Sequence, residues 1–344
     1  MKPDAAQEPP QKSPLILVAA AVEPEARPDV ADTLEARAWV CRALERAGWT
    51  AEAWDITPSL LASPDRVSGH LEKTEAVCVF NLFEGFGTDS GAEHRFSALL
   101  EETGTPCTGN PAAVLETCLS KDAVSSLLRA KNIPVPEGRT LLPGDSLSLL
   151  NDLSLPLFLK PLREDGSVGI DEHSLVTDRK DLPRRAEEKL KLFPGGVRAE
   201  EFLPGMEYSV SCIGNDPYFV PAVSVIDYGK WNAGRPFLDY GSKWDPDSPL
   251  YDLVPEPAEE PVKERAKRLA SEAGKTLGCR GYFRTDLREK DGTLYVIDVN
   301  PNPDMGSGGG FLRQCREGGM EMEEVAARIV ELALEHVRRG EQQW

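Results

Sequence analysis

GYFRTDLREKDGTLYVIDVNPNPDM, residues 281–305, decides how the chain is read. Gly281–Leu287 alternates, so that Tyr282, Arg284 and Asp286 share one face and Phe283, Thr285 and Leu287 the other, the period of a strand. Leu294–Asn300 reads as a second strand with Leu294, Val296, Asp298 and Asn300 on one side, and Glu289–Gly292 supplies turn residues. Parity constrains the hairpin. A two-residue loop sets Asp286 opposite Ile297, on the wrong face, whereas a three- or five-residue loop brings Arg284 and Asp286 across from Asp298 and Asn300. A shared acidic face therefore requires the longer loop.

In that register two carboxylates, a carboxamide and a guanidinium crowd one patch of sheet. Each carboxylate opposes the other's ionisation. A hard, oxygen-seeking cation such as Mg²⁺ relieves the conflict, with phosphate oxygens and water completing its shell, and Arg284 faces the same negative charge. A surface hairpin with solvated acids is the plain alternative. The D-x-N that closes the apolar strand LYVIDVN, and runs into a Pro/Gly-rich loop, favours the metal site.

The rest of the chain sets the frame. A chain of 344 residues holds two or three domains, enough for a sizeable core. A net charge of −18 argues against a nucleic-acid backbone as partner, and any anionic ligand needs a locally basic pocket. Seven cysteines without a C-x-x-C speak against a zinc ribbon and for a reducing, cytoplasmic setting. The first 13 residues are polar and Pro-rich, a disordered tail rather than a signal peptide, and no run approaches the length of a membrane span.

In chain order, Leu15–Val22 is an apolar run suited to a strand buried on both faces, Val30–Ala47 a helix, and Thr50–Ile56 and Ala76–Phe80 further strands. That alternation is the pattern of a parallel sheet in an α/β domain. A Gly-rich loop, Glu84–Gly91, follows a strand end, where open α/β sheets bind ligands. SLPLFLKPLREDGSVGI gives a strand ending on Lys160, then a loop with Gly166 and Gly169 that can set an ammonium and backbone N–H groups around phosphate. It matches neither the P-loop nor the dinucleotide fingerprint. Val197–Leu203 and Glu207–Ile213 flank a Pro-Gly turn. Their acids Glu200, Glu201 and Glu207 suit ribose hydroxyls or an adenine amine. The irregular stretch 227–260, with DYGSKW at 239–244, has the length of a lid.

Seven strings occur in the order and spacing of one family: FNLFEGFGTDSGAEHRFSALLEETGTPCTG, LSKDAVSSLLRAKNIPVP, LPLFLKPLREDGSVGI, EEFLPGMEYSV, DYGSKWDPDSPLY, GYFRTDLR and VIDVNPNPDM. With them the chain resembles the ATP-grasp ligases, in the D-alanine–D-alanine ligase branch. The resemblance implies an α/β (α+β) fold with a parallel-sheet N-terminal domain over 14–117, a central subdomain over 118–200 and a C-terminal subdomain over 201–344, the last two clamping ATP. It implies a cytoplasmic enzyme, with a homodimer as the family's habit, that phosphorylates one carboxylate with ATP. An amine then attacks the acylphosphate, releasing ADP and phosphate. Two Mg²⁺ ions, for which Mn²⁺ can stand in, would be held by Asp286, Asp298 and Asn300. Lys121 and Lys160 would contact the phosphates and the Gly166–Ser167–Val168–Gly169 loop would fold over them. Glu200, Glu201, Phe202 and Leu203 would line the adenine edge, and Glu207 would hold ribose. Lys243, in a lid spanning 228–256, would reach the γ-phosphate, and Arg284 would steady the transferring phosphoryl group.

The chain also departs from the branch. Asp298 stands where Glu is usual. Gly166 and Ser167 replace two serines, Trp244 a tyrosine and Glu84 a histidine. The usual Pro-Gly-Met is Pro303-Asp304-Met305, and Gly309 takes the place of the serine that holds the acceptor carboxylate. The first-loop Glu is matched by Glu23, Glu25 or Glu35. The expectation is a carboxylate–amine ligase with its nucleotide half intact and its amino-acid half rebuilt, acting on amino acids or short peptides. The alternative is a catalytically degenerate ATP-grasp protein that binds nucleotide for regulation.

Overall fold

The computed structural model describes residues 13–23, 28–87, 89, 91–230, 235–245, 247–248, 250–251 and 253–338, with backbone alone for 28–31, 243–244 and 337–338. Residues 1–12 of the expected N-terminal tail and Glu25 lie outside the described residues, as do the side chains of Lys243 and Trp244.

Three sheets follow one another along the described chain. Strands β1 (Leu15–Ala21), β2 (Thr50–Ile56) and β3 (Cys78–Asn81) pair in parallel in the order β2-β1-β3. β1 is buried over Ile16–Ala21, as a strand between two helical layers must be. Strands β4 (Gly138–Leu141), β5 (Leu157–Pro161), β6 (Leu175–Val176) and β7 (Val197–Glu201) form an antiparallel sheet ordered β4-β7-β5-β6. The helix Leu182–Leu192 packs against it through Leu182 and Ala186.

The third sheet comprises β8 (Glu207–Gly214), β9 (Tyr218–Phe219), β10 (Val223–Ile226), β11 (Glu256–Pro257), β12 (Tyr282–Lys290) and β13 (Thr293–Asn300). Its order is β11-β10-β8-β12-β13, with β9 on β8. The helix Val262–Leu277 covers one face, burying Ala266, Ala270 and Ala273 against Phe283, Leu287, Leu294, Val296 and Val299. First and last parts of the chain share a core in which Ile16, Val18 and Phe80 meet Met305, Phe311, Val325 and Ile329. Trp39 Nε1 donates to Met305 O across that junction, at 2.7 Å. No described helix is long and apolar enough to cross a membrane.

The β12–β13 hairpin corrects the sequence expectation in two respects. Lys290 pairs with Thr293, so the loop is the two-residue Asp291–Gly292, with φ of +50° and +76° as a type I′ turn requires. That loop alone would set Asp286 opposite Ile297. Instead the register slips by one between Asp286 and Leu287: Leu287 faces Val296 while Asp286 faces Asp298, leaving Ile297 as the extra residue of a β-bulge. The bulge also splits the face expected of β13. Leu294 and Val296 join the core, whereas Asp298 and Asn300 turn to the side of Arg284 and Asp286.

Candidate active site

At the centre of the candidate site is the bulged hairpin. Arg284 clasps Asp286 with both ends of its fork, Nε to Oδ1 at 3.0 Å and Nη2 to Oδ2 at 2.9 Å, and Ser209 Oγ donates to Oδ1 at 2.7 Å from the paired position on β8. Asp286 first, and then Asp298 and Asp304, hold the Arg284 guanidinium above its ordinary pKa against the opposing effect of its burial. Asp298 and Asn300 make no side-chain hydrogen bond to another described residue. Two carboxylates and a carboxamide oxygen, half-buried on one face, are a hard donor set that suits Mg²⁺. Among the described residues no third His, Cys, Asp or Glu joins them, so the cradle fits an ion whose remaining ligands come from phosphate and water.

The central sheet supplies the cations. Lys160, at the end of β5 and 7 % exposed, lies 2.8 Å from Glu200 Oε2 and donates to Ile297 O at 3.1 Å. Glu200 on β7 also takes Arg198 Nε at 3.3 Å. Lys121, the first residue of the helix Lys121–Ala130, donates to Glu164 O at 2.5 Å and to Asp165 Oδ1 at 3.4 Å. Burial works against its charge, but Asp165, Asp298 and Glu200 outweigh it and hold its pKa above the usual lysine value. Lys121 thus senses Asp298 of the hairpin, while Lys160 meets the hairpin through the backbone oxygen of Ile297.

Between them runs the glycine loop. Val168 N donates to Asp165 O across Gly166 and Ser167, both in the left-handed region at φ +62° and +67°. This tight turn resembles the one at the hairpin tip. Gly169 lies against the Phe193 ring and Pro161, and Lys189 Nζ fixes the loop's far end by donating to Gly169 O and Ser174 Oγ.

The residues expected at a nucleotide edge lie at the end of β7 and just after it. Glu201 Oε1 accepts from Ser154 N, Phe202 N donates to Pro156 O, and Leu203 is buried. Glu207 accepts from Tyr228 Oη at 3.1 Å. Sequence reading missed Arg288, which continues the alternation of Arg284 and Asp286 along β12. Its guanidinium lies 4.7 Å from the Phe202 ring centre and 5.3 Å from that of Tyr228, and donates to Gly205 O and Pro236 O. The root of the expected lid docks here, with Phe237 edge-on to Phe158 at 5.0 Å. Asp239 then caps the short helix Tyr240–Trp244, which carries the Lys243 backbone.

The N-terminal domain closes the remaining side. Glu84 is exposed on the loop leaving β3. After burial of the Tyr282 ring itself, the charges of Glu84, Glu93 and Asp304 are among those that raise the Tyr282 phenol pKa. Of the first-loop candidates, Glu23 reaches this loop and accepts from Gly87 N at 3.3 Å. Glu35 is exposed on the helix Pro28–Arg46, where burial, Asp304 and Glu35 together raise the Asp32 carboxyl. Gly309 precedes the helix Gly310–Glu317, a Cβ at that position coming 2.9 Å from Asp304 Oδ2. Asn110, Asn302 and Glu93, which local patterns did not single out, link this domain to the end of β13.

Residues 130–331 match the family described as the D-ala D-ala ligase C-terminus. The D-alanine–D-alanine ligase of Actinobacillus pleuropneumoniae serotype 5b is 30% identical over 305 residues, covering 88% of this chain and 93% of its own. That of Desulforudis audaxviator is 28% identical over 301 residues, covering 86% and 92%. A crystal structure of D-alanine–D-alanine ligase from Bacillus anthracis complexed with ATP superposes with a TM-score of 0.74 over 96% of this chain and 100% of that one, at 20% identity. The chain is thus a member of the D-alanine–D-alanine ligase family and a ligase of ATP-grasp fold.

Proposed function

We propose that the protein joins a carboxylate to an amine with ATP and Mg²⁺, through an acylphosphate, and that its amino-acid pocket has moved away from plain D-alanine. The observation that carries this reading is the bond from Lys160 to Ile297 O, which joins the lysine strand to the acidic hairpin in one cleft. Phosphoryl transfer asks for positioning and charge neutralisation more than for a protein nucleophile, and the residues around the hairpin offer that. Asp286, Asp298 and Asn300 would hold Mg²⁺, which when bound would screen the phosphate charge. Lys160 and Lys121 orient the phosphates, and the Gly166–Gly169 loop offers backbone N–H groups above them. Arg284, turned from Asp286, would steady the oxyanion that forms when the amine attacks. The Glu200–Leu203 wall and Glu207 hold the nucleoside.

The changed pocket is supported by Asp304 and Gly309 in the loop after β13, where the family places glycine and serine, and by Glu84, whose charge acts on Tyr282 as that of Asp304 does. A phosphate-release screen with ATP and Mg²⁺ over D- and L-amino acids, hydroxy acids and dipeptides, with products weighed by mass spectrometry, tests both parts. Substrate-dependent release with a product other than D-alanyl-D-alanine is expected, and Asp298→Ala should abolish it. Robust D-alanyl-D-alanine synthesis would overturn the altered specificity. Nucleotide binding without turnover on any substrate would overturn the ligase reading in favour of a regulatory nucleotide-binding protein.

A further inference from the structure

Where β13 leaves the sheet, the chain reads Asn300-Pro301-Asn302-Pro303. Each asparagine precedes a proline and is held to extended backbone, while each proline fixes its own φ, so this segment transmits orientation with little slack. Asn302 is 9 % exposed and its amide is bracketed at both ends. Oδ1 accepts from Asn110 N at 3.0 Å, and Nδ2 donates to Glu93 Oε1 at 2.9 Å. Asn110 in turn donates through Nδ2 to Tyr282 O and Pro301 O, and accepts from Arg280 N at 2.8 Å. A flipped Asn302 amide would face N–H to N–H at Asn110 and oxygen to oxygen at Glu93. Gly109 leaves room for the bracket, since a Cβ there would come 2.4 Å from Asn302 Oδ1.

Glu93 lies in the first turn of the helix Ala92–Thr103, directly after the Gly-rich loop of the N-terminal domain. A residue more than two hundred positions away in sequence therefore sets the amide that ends the acidic strand. We infer that Glu93 is a positioning residue: through Asn302 it fixes the exit of β13 and so the aim of Asn300 and Asp298 at a metal–nucleotide complex. This rests on the ligase reading of the cleft.

Calorimetric binding of Mn²⁺–ADP to the full chain reads the cradle without turnover. Above about pH 8, where the Glu93 carboxyl is ionised, Asn302→Asp removes the donor facing Glu93 and keeps an oxygen for Asn110 N. It is expected to weaken Mn²⁺–ADP about tenfold or more, the scale on which outer supports of metal ligands act, with the thermal midpoint little changed. Glu93→Ala should give the same loss from the other side. Glu93→Gln keeps an acceptor and should stay close to wild type. Combined with Asn302→Asp, it swaps donor and acceptor and should restore binding. Wild-type affinity in both Asn302→Asp and Glu93→Ala, or a folded double variant as weak as Asn302→Asp, would overturn the inference. A wild-type chain that binds Mn²⁺–ADP yet ligates nothing overturns the ligase reading alone.

Discussion

Lys160 Nζ donates to the carbonyl oxygen of Ile297 at 3.1 Å, and Ile297 is the residue of β13 left over when β12 and β13 pair. The bulge thus serves two purposes: it turns Asp298 toward Asp286, and it bends a backbone oxygen out to the central sheet.

Lys160→Met removes that link and leaves Glu200 with Arg198 as its neighbouring cation. A loss of about 2 kcal/mol in urea unfolding is expected, because a buried carboxylate loses one of two counter-charges. ATP affinity, measured by calorimetry, should fall by about tenfold or more, on the scale of one charge-assisted bond to phosphate.

Deletion of Ile297 separates the two purposes. With the two-residue turn kept, a shortened β13 still pairs Leu287 with Val296 and Asp286 with Asp298, now in an unbroken ladder. The protein is expected to fold, with hairpin amides protected in hydrogen exchange, while ATP binding weakens as in Lys160→Met. Deletion of Val299 instead turns Asn300 away from Asp298 and should abolish metal-dependent nucleotide binding. A deletion of Ile297 that unfolds the chain would show that the bulge is needed for the core.

Two glycines of the Gly166–Gly169 loop should respond differently to alanine. At Gly169, with φ +73°, the new carbon would come within 2.4 Å of the Phe193 ring and 2.6 Å of Pro161. A loss of at least about 2 kcal/mol is expected from clash and backbone strain together. At Gly166, with φ +62°, no atom lies within 4 Å, so backbone strain of about 1 kcal/mol remains. Thermal denaturation of both variants checks the order.

Glu93 gives stability a pH dependence. Burial pushes its carboxyl to about 8, against the pull of the Asn302 hydrogen bond and with Asp165 adding to the rise. A carboxyl whose pKa is higher folded than unfolded binds its proton more tightly in the native state. Its stabilisation is therefore complete below the unfolded value and is lost as pH climbs through the folded one. Between about pH 5 and pH 8 the wild type should lose up to ~1.4 kcal/mol per pH unit relative to Glu93→Gln. Urea midpoints across that range measure it, and parallel curves for the two proteins would refute it.

The legible part of the sequence was whatever local period or spacing encodes. The alternation around Arg284 and Asp286, the strand ending on Lys160 and the loop after it all stand where the residues put them. The hairpin could have been read further. Asp291-Gly292 is the dipeptide of a two-residue turn, and such a turn brings two acids to one face only if a strand carries an extra residue. Arg288 needed one more step of the same alternation. By contrast, the bond between Asn110 and Asn302 joins positions 192 residues apart, and the Lys160–Ile297 contact depends on how two sheets dock. No local pattern contains either.

Three cations of the site are each engaged by oxygens of the chain itself: Lys160 by Glu200, Lys121 by Glu164 and Arg284 by Asp286. Those internal acceptors act as understudies for a polyanion, keeping each cation aimed. Recognition then becomes a matter of simultaneous replacement. A visitor that relieves one understudy and leaves the others on stage gains little, which favours a molecule whose several negative groups match the spacing of all three.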